Sequence, residues 1–212
     1  MSQMFYFTDL SQIIGVSTWN ATAGNVNAYR AFWGSNFLSV TPTDNFSNAF
    51  IQSLTPTNVQ QMFASFGNDN ENVAVNLNGL DLSNITNFSQ FMSGAKFSTA
   101  PDFSNVTFPS TAISWYQAFY SFDLPDAATS IIDFSTVTAK ISNLQATFSG
   151  AGVNGIKFGN NIDFSQLTSF DNTFYSPSRF LDPQFPTNAN FGAVTTFYRM
   201  FYGNGNSRFS TC

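Results

Sequence analysis

Histidine is absent from the sequence, and charged residues make up only 9% of it, against about 25% in ordinary soluble domains. Without histidine, no Ser-His-Asp or Cys-His site can form, and the commonest general base is missing. The single cysteine, Cys212, excludes a disulfide framework and a cysteine-rich metal site. We therefore predict a protein without enzymatic activity, without a cofactor and without a tightly bound metal ion.

Two acidic features leave other chemistry open. Asp133 and Asp163 occupy comparable places in different parts of the chain, and a pair of carboxylates is the machinery of glycoside hydrolysis. The segment 69–71, Asp-Asn-Glu, offers oxygen ligands for Ca²⁺ but lacks the spacing of a dedicated calcium loop. Polar residues that support solvated turns explain both features better.

Basic residues are few and scattered: seven Lys and Arg against 12 acidic residues, a net charge of −5. Because no basic stripe is present to neutralise phosphates, the sequence argues against nucleic-acid binding. No apolar run reaches the length of roughly 18 residues that a membrane-spanning helix needs. Met1 is not followed by a secretory signal, so an export signal, if the protein is exported, would lie outside these residues.

Phenylalanine is abundant, with 27 copies, and it recurs in a repeated pattern. Ile85, Phe88, Phe91 and Met92 stand at the places i, i+3, i+6 and i+7, the apolar stripe of a two-turn helix. The last member of this stripe recurs at positions 5, 33, 66, 92, 119, 148, 174 and 201, which are 26 to 33 residues apart. A helix is predicted at each stripe, with these phenylalanines buried: Phe32, Phe66, Phe91, Phe119, Phe148, Phe174 and Phe201.

Each repeat carries two further elements beside the stripe. Short alternating segments, such as 131–134 and 156–158, predict strands. Polar steps such as 163–167 lead into the next stripe, and their serine, here Ser165, suits a helix N-cap. The predicted fold is an α/β solenoid, a leucine-rich-repeat-like stack of short strand plus short helix units, with about seven to eight repeats in one domain over residues 1–212. Strands stack about 4.8 Å apart and helices about 8–10 Å, so the strand side is expected to be concave.

One repeat carries a family resemblance. The segment Leu82-Ser-Asn-Ile-Thr-Asn-Phe-Ser-Gln-Phe-Met92, repeated in shorter form as Met1-Ser-Gln-Met-Phe5, resembles the repeat of the BspA-like leucine-rich-repeat surface proteins. The resemblance covers the chain from Met1 to about Phe201, although this chain has a phenylalanine-rich core and units of up to 33 residues. It implies an exported, extracellular protein at the cell surface.

Two functions are compatible with such a repeat protein. The first, which the resemblance implies, is a non-enzymatic cell-surface scaffold for adhesion, whose partner is a protein or glycan surface. The alternative is a structural subunit of an extracellular filament or coat, in which copies of the chain stack end to end. Polar, uncharged residues of the strand side and its loops are the candidate binding residues: Asn76, Asn78, Asn160 and Asn161.

Neither end of the repeat looks like a capping unit. The N-terminal stripe is in phase with the others, and residues 203–212 open a unit that they do not complete. Either the chain is part of a longer protein, or its two ends meet in a neighbouring copy. The candidate residues of these ends are Met1, Met4, Phe5 and Phe209.

Overall fold

The computed structural model describes residues 3, 26–35, 53–67, 75, 77–125, 127, 129–179 and 181–203. In this part the chain winds as a parallel β-solenoid, in which each coil contributes short strands that pair with the next coil. The strands are β1 (Val26–Asn27), β2 (Pro56–Asn58), β3 (Ile113–Ser114), β4 (Ile131–Phe134), β5 (Ala139–Asn143), β6 (Gly155–Phe158), β7 (Ile162–Asp163) and β8 (Asp182–Gln184). The predicted strands at 131–134 and 156–158 are confirmed as β4 and part of β6.

All strand pairs are parallel and join successive coils. One sheet has the order β4-β6-β8 and another the order β3-β5-β7, while β1 pairs with β2. The register is regular in the first sheet, where Ile131 lies beside Gly155 and Gly155 beside Asp182. The solenoid of the prediction is therefore confirmed, and the paired strands are the interface through which one coil supports the next.

The predicted helices are wrong: apart from Ser53, no described residue is helical. The stripes form runs of tight turns instead. In the turn 28–35, the N–H groups of Ala31, Trp33 and Ser35 each donate to the carbonyl three residues earlier, at 3.0, 3.3 and 3.2 Å. The N–H groups between them donate to the following coil, as Phe32 does to the carbonyl oxygen of Met62 at 2.9 Å. Half of these N–H groups thus close the turn, and the other half join it to the next coil. In a helix, by contrast, the backbone N–H groups bond to carbonyl groups of the same helix.

Two residues of every such turn have a left-handed backbone, four places apart. The first has φ between 51° and 57° and is Arg30, Gln61, Gln90, Gln117, Ala146, Asn172 or Arg199. The second has φ between 45° and 81° and alternates between glycine and serine along the stack: Gly34, Ser65, Gly94, Ser121, Gly150, Ser176 and Gly203. A left-handed residue cannot continue a right-handed helix, so this geometry explains why the stripes are not helical.

Side-chain acceptors begin the turns. Asn143 accepts the N–H of Gln145 at 2.7 Å, and equivalent residues do so in other coils. At a second corner of the coil, Asp163 accepts the N–H of Ser165 at 2.8 Å. The N-cap role predicted for Ser165 is therefore wrong, because the aspartate is the acceptor and the serine supplies only its backbone donor. This pattern of short side-chain-to-backbone bonds stabilises turns rather than helices.

A column of phenylalanine rings fills the core. Phe119 and Phe148 stack with ring centroids 5.5 Å apart, and Phe174 and Phe201 stack at 5.3 Å. Six of the seven phenylalanines predicted to be buried are at most 1% exposed, whereas Phe201 is 36% exposed. In the first coils the column contains Phe32 and Phe63, stacked at 5.2 Å. The sequence-based register there, which used positions 33 and 66, is therefore wrong.

Candidate functional site

Phenylalanine and tyrosine are segregated between the inside and the outside of the turns. The largest fully buried side chains are phenylalanines and Trp115. Every described tyrosine lies on the outer side of a turn, either directly before the first left-handed residue or three places after it: Tyr29, Tyr116, Tyr120, Tyr175, Tyr198 and Tyr202. All six are half-buried or exposed, which keeps their hydroxyl groups in water. We call this surface, together with Trp33 and the first left-handed residues, the tyrosine face.

A ladder of planar polar side chains runs along the tyrosine face. Arg30 donates from Nε to Oε1 of Gln61 at 2.6 Å, and Gln61 donates from Nε2 to Oε1 of Gln90 at 2.8 Å. Gln90 continues the ladder to Gln117 at 2.9 Å. Ala146 occupies the next place and ends it. Each member is oriented by its neighbour, so the face presents fixed side chains rather than freely rotating ones.

Arginines lie over aromatic rings in the turns 28–35 and 196–203. The Arg30 guanidinium is 5.0 Å from the ring centroid of Tyr29 and 4.6 Å from that of Trp33. Arg199 is 4.9 Å from Tyr198 and 5.5 Å from Tyr202. Such cation–π contacts hold a long side chain in place. The tyrosine face therefore combines stacked aromatic and amide groups with two localised cations.

Among the residues of this face that the structure describes, acidic groups are scarce. Asp171 precedes the left-handed Asn172, and its carboxylate accepts the N–H of Tyr198 at 2.7 Å and the hydroxyl of Thr196. The Asp171 carboxylate therefore joins two coils through these hydrogen bonds. The face offers aromatic contact and amide hydrogen bonds, and it offers no nucleophile paired with a base.

The predicted binding asparagines are not brought together. Asn78 donates to Asp102 and accepts from Asn105, both at 3.3 Å, so its amide is engaged between coils. Asn160 and Asn161 are exposed in the turn that follows β6. They lie in a later coil than Asn105: β6 pairs with β4, which follows Asn105 along the chain. The fourth residue, Asn76, lies outside the described residues, as do Met1, Met4, Phe5 and Phe209.

The carboxylate pair considered from the sequence does not form. Asp133 in β4 lies 3.8 Å from the Lys157 amine, and both side chains are about half exposed. Asp163 lies in β7, in the other sheet, where it pairs in register with Lys140. Each carboxylate therefore faces a lysine instead of the other acid.

A shallow groove of about 160 Å³ lies between two coils and is lined by Asp102 and Asp133. Burial raises the pKa of Asp102, but hydrogen bonds from Ser104 and Asn78 together hold that pKa below its ordinary value. No group of three metal-ligating side chains occurs within the described ranges, and the candidate calcium segment 69–71 lies outside them. Nor is any helix of the described part long and apolar enough to cross a membrane.

Sequence reasoning missed the tyrosine face because it treated all aromatic residues as one class. The signal was present: tyrosine and phenylalanine occupy different places in the repeat, as Tyr116 and Phe119 show. Comparison with known proteins adds no assignment, since no family model, no curated protein and no solved structure matches the chain.

Proposed function

We propose that this chain is a non-enzymatic binding scaffold of the BspA-like type, displayed at the cell surface, which holds protein or glycan surfaces through its tyrosine face. The observation that carries the proposal is the placement of every described tyrosine on one outer surface, where Arg30 and Arg199 each lie over neighbouring aromatic rings.

The chemistry of the tyrosine face suits reversible binding. Tyrosine, tryptophan and arginine carry much of the binding energy at protein interfaces. The ladder from Arg30 to Gln117 already fixes its side chains, so binding would lose little conformational entropy there. Because the face holds few charges, it favours uncharged polar partners over strongly ionic ones.

The catalytic alternatives have little support. The sequence contains no histidine, and Asp133 and Asp163 are capping residues that each accept a serine N–H, at 2.7 and 2.8 Å.

We expect prolonged chelation to leave the thermal unfolding midpoint unchanged. A clear drop would instead restore the calcium interpretation of residues 69–71.

Binding is tested with the labelled protein on a glycan array, on a protein array and on intact cells. The double variant Tyr116→Ser/Tyr120→Ser removes two rings from the middle of the tyrosine face. The matched control, Asn160→Ala/Asn161→Ala, changes two exposed residues elsewhere. We expect the tyrosine variant to lose at least about tenfold in affinity, as one or two lost interface anchors imply, and the control to bind like the wild type.

Two results would contradict the proposal. Binding that survives the tyrosine substitutions but is lost in the asparagine control would move the site to the corner after β6. Arrays and cells that bind neither protein would remove the scaffold function. Display is tested separately: an antibody against the chain should label intact cells, and protease added outside them should remove the label.

A further inference from the structure

The cations of the described part of the chain differ in whether they face an acidic group. Three of them face carboxylates of neighbouring coils, in the pairs Lys157–Asp133, Arg179–Asp123 and Lys140–Asp163. Arg30 and Arg199 form no such pair with any described residue. Both belong to the tyrosine face, whose described acid, Asp171, already accepts two hydrogen bonds. This face is therefore positively charged on a chain with a net charge of −5.

Each of these arginines lies over two aromatic rings in the same local arrangement. Residues 29–33 read Tyr-Arg-Ala-Phe-Trp, and residues 198–202 read Tyr-Arg-Met-Phe-Tyr. In both turns the guanidinium carbon lies 4.6 to 5.5 Å from the two ring centroids. Contact with two rings restricts a long side chain, so the cation is held in place before a ligand arrives. We call the groups Tyr29–Arg30–Trp33 and Tyr198–Arg199–Tyr202 the arginine clusters.

The guanidinium groups of the arginine clusters keep hydrogen-bond donors for a ligand. Arg30 donates from Nε to Gln61, whereas its Nη groups and the side chain of Arg199 have no acceptor among the described residues. Arg30 is half-buried and Arg199 is exposed, so both can be reached. A guanidinium edge offers two parallel N–H groups, which match the two oxygens of a planar carboxylate. The arginine clusters are therefore suited to bind carboxylates.

The rest of the tyrosine face is suited to sugars. The place occupied by Tyr116 in its turn holds Gln60, Ser89 or Gln145 in other coils, and the place of Tyr120 holds Ser93 in the coil before it. Amide and hydroxyl groups pair with sugar hydroxyls, and the negatively polarised face of a tyrosine ring attracts the C–H groups of a sugar ring. Protein partners instead anchor aromatic or aliphatic side chains in apolar pockets, which these polar residues do not form.

We propose that the arginine clusters make the tyrosine face a receptor for glycans that carry carboxylate groups, such as those of uronic or sialic acids. The inference rests on the proposed binding function of this face and names its ligand. In each cluster the arginine pairs with a carboxylate, and the flanking rings pack against sugar rings. Because the face between the clusters is almost uncharged, isolated carboxylates on an otherwise neutral sugar chain fit it better than a densely charged polymer does.

The two clusters can act together. Arg30 and Arg199 occupy the same left-handed place in turns that are six coils apart, which is roughly 29 Å at about 4.8 Å per coil. Two carboxylates on one glycan, or on neighbouring glycans of a surface, can therefore be bound at once. Such bivalent binding is tighter than binding at either cluster alone.

Binding of the purified chain to immobilised glycans tests the proposal, with each acidic glycan compared to a neutral counterpart. Hyaluronan, which carries a carboxylate on every second sugar, is compared with carboxyl-reduced hyaluronan, and sialyllactose is compared with lactose. We expect at least one acidic glycan to bind about tenfold more tightly than its counterpart, as a charge-assisted hydrogen-bonded pair implies. Added salt should reduce this preference. Dextran sulfate and polyglutamate should bind more weakly than the preferred glycan.

The variant Arg30→Gln/Arg199→Gln removes both charges with little other change. Glutamine already occupies the same left-handed place in three coils and bonds to its neighbour there, so the ladder can persist. We expect this variant to bind acidic and neutral glycans alike. Thermal unfolding checks that it still folds.

The matched control is Lys96→Gln/Lys140→Gln, which also removes two positive charges. Both lysines are exposed and lie outside the tyrosine face, so this variant should keep the preference for acidic glycans. A preference that is lost equally in the lysine variant would reflect net charge alone and would overturn the proposal.

Three further results would overturn it. Neither acidic glycan binds more tightly than its neutral counterpart, the preference survives in Arg30→Gln/Arg199→Gln, or dextran sulfate or polyglutamate binds as tightly as the preferred glycan. The proposed function can stand when this inference fails: neutral glycans or proteins would still bind, and Tyr116→Ser/Tyr120→Ser would still weaken that binding. If no glycan and no protein binds the wild type, both fail.

Discussion

Phe148 and Phe174 lie nearly parallel across neighbouring coils, with ring centroids 5.9 Å apart and ring planes 8° apart. Phe119 stacks on the other side of Phe148 at 5.5 Å. Because Phe148 is fully buried between two rings, Phe148→Ala leaves a cavity in the column. We expect a loss of about 3–5 kcal/mol in the free energy of unfolding, measured by urea denaturation.

The control for Phe148→Ala is Asn160→Ala, at an exposed turn position, which should cost less than about 0.5 kcal/mol. Equal losses in the two variants would contradict a core built from the stacked column.

Ala146 has a left-handed backbone, with φ of 53°, and no ladder bond to keep it there. This conformation costs an L-residue roughly 1–2 kcal/mol, and glycine removes that cost. Glycine also lowers the free energy of unfolding by about 0.4–1 kcal/mol, because it makes the unfolded chain more flexible. Ala146→Gly is therefore expected to stabilise the protein by up to about 1 kcal/mol.

Ala118 is the matched control for Ala146→Gly: it is buried in an equivalent turn and is not left-handed. Ala118→Gly should lower the thermal midpoint while Ala146→Gly raises it. A drop in both variants would show that the conformational cost at Ala146 is smaller than the entropy lost.

Gly159 touches the preceding coil so closely that a Cβ there would overlap the carbonyl oxygen of Ser135. Since that oxygen belongs to the backbone, the coils must separate to accept alanine, and Gly159→Ala should cost about 3 kcal/mol. Gly79 has φ of +78° but nothing within 4 Å of an added Cβ, so Gly79→Ala should cost only about 1 kcal/mol of backbone strain. Urea unfolding of both variants measures the difference, and a larger loss at Gly79 would contradict the close packing of the coils.

The stability of the fold should fall in acid through its capping aspartates. The side-chain and backbone hydrogen bonds from Ser165, followed by the charge of Lys140, hold the pKa of Asp163 below its ordinary value. A carboxyl with a lowered folded pKa stabilises the protein above its unfolded pKa of about 3.9, and this contribution is lost as the pH falls through the folded value. Asp163→Asn keeps an acceptor for the Ser165 N–H but does not titrate.

We therefore expect the urea midpoint of the wild type to fall, relative to that of Asp163→Asn, as the pH is lowered from 5 towards 2.5 (pH range set by the carboxyl pKa). A constant difference over this range would show that Asp163 titrates alike in the folded and unfolded chain.

The repeat and the burial of its phenylalanines were predictable, but the conformation of the stripe was not. Phe88, Phe91, Met92 and Ala95 are buried at the places i, i+3, i+4 and i+7, which is also the pattern of an amphipathic helix. In this protein, consecutive tight turns bury their apolar residues at the same spacing. Periodicity therefore could not separate the two structures.

A residue's tolerance for a left-handed backbone is the signal that would distinguish tight turns from a helix. The sequence shows that tolerance at only some of the left-handed places. Gly94 readily adopts a left-handed backbone, but Ala146 and Ser121 occupy such places without any preference for them that a sequence reveals. The tyrosine face was missed for a different reason: tyrosine and phenylalanine were treated as one class, although Tyr116 and Phe119 occupy different places in the repeat. Asn160 and Asn161 were correctly predicted to lie at the surface. A polar turn is exposed whether the elements that it connects are helices or strands.

The alternation of glycine and serine at the second left-handed place also constrains how such a chain can change its length. A Cβ at Gly150 would come within 3.0 Å of Oγ of Ser121, and one at Gly203 within 3.2 Å of Oγ of Ser176, so each serine side chain uses the space left by the glycine of the next coil. Deleting or duplicating one coil would bring two serines or two glycines together. Deleting or duplicating two coils preserves the packing. The solenoid can therefore be lengthened or shortened by pairs of coils without disturbing this serine–glycine contact.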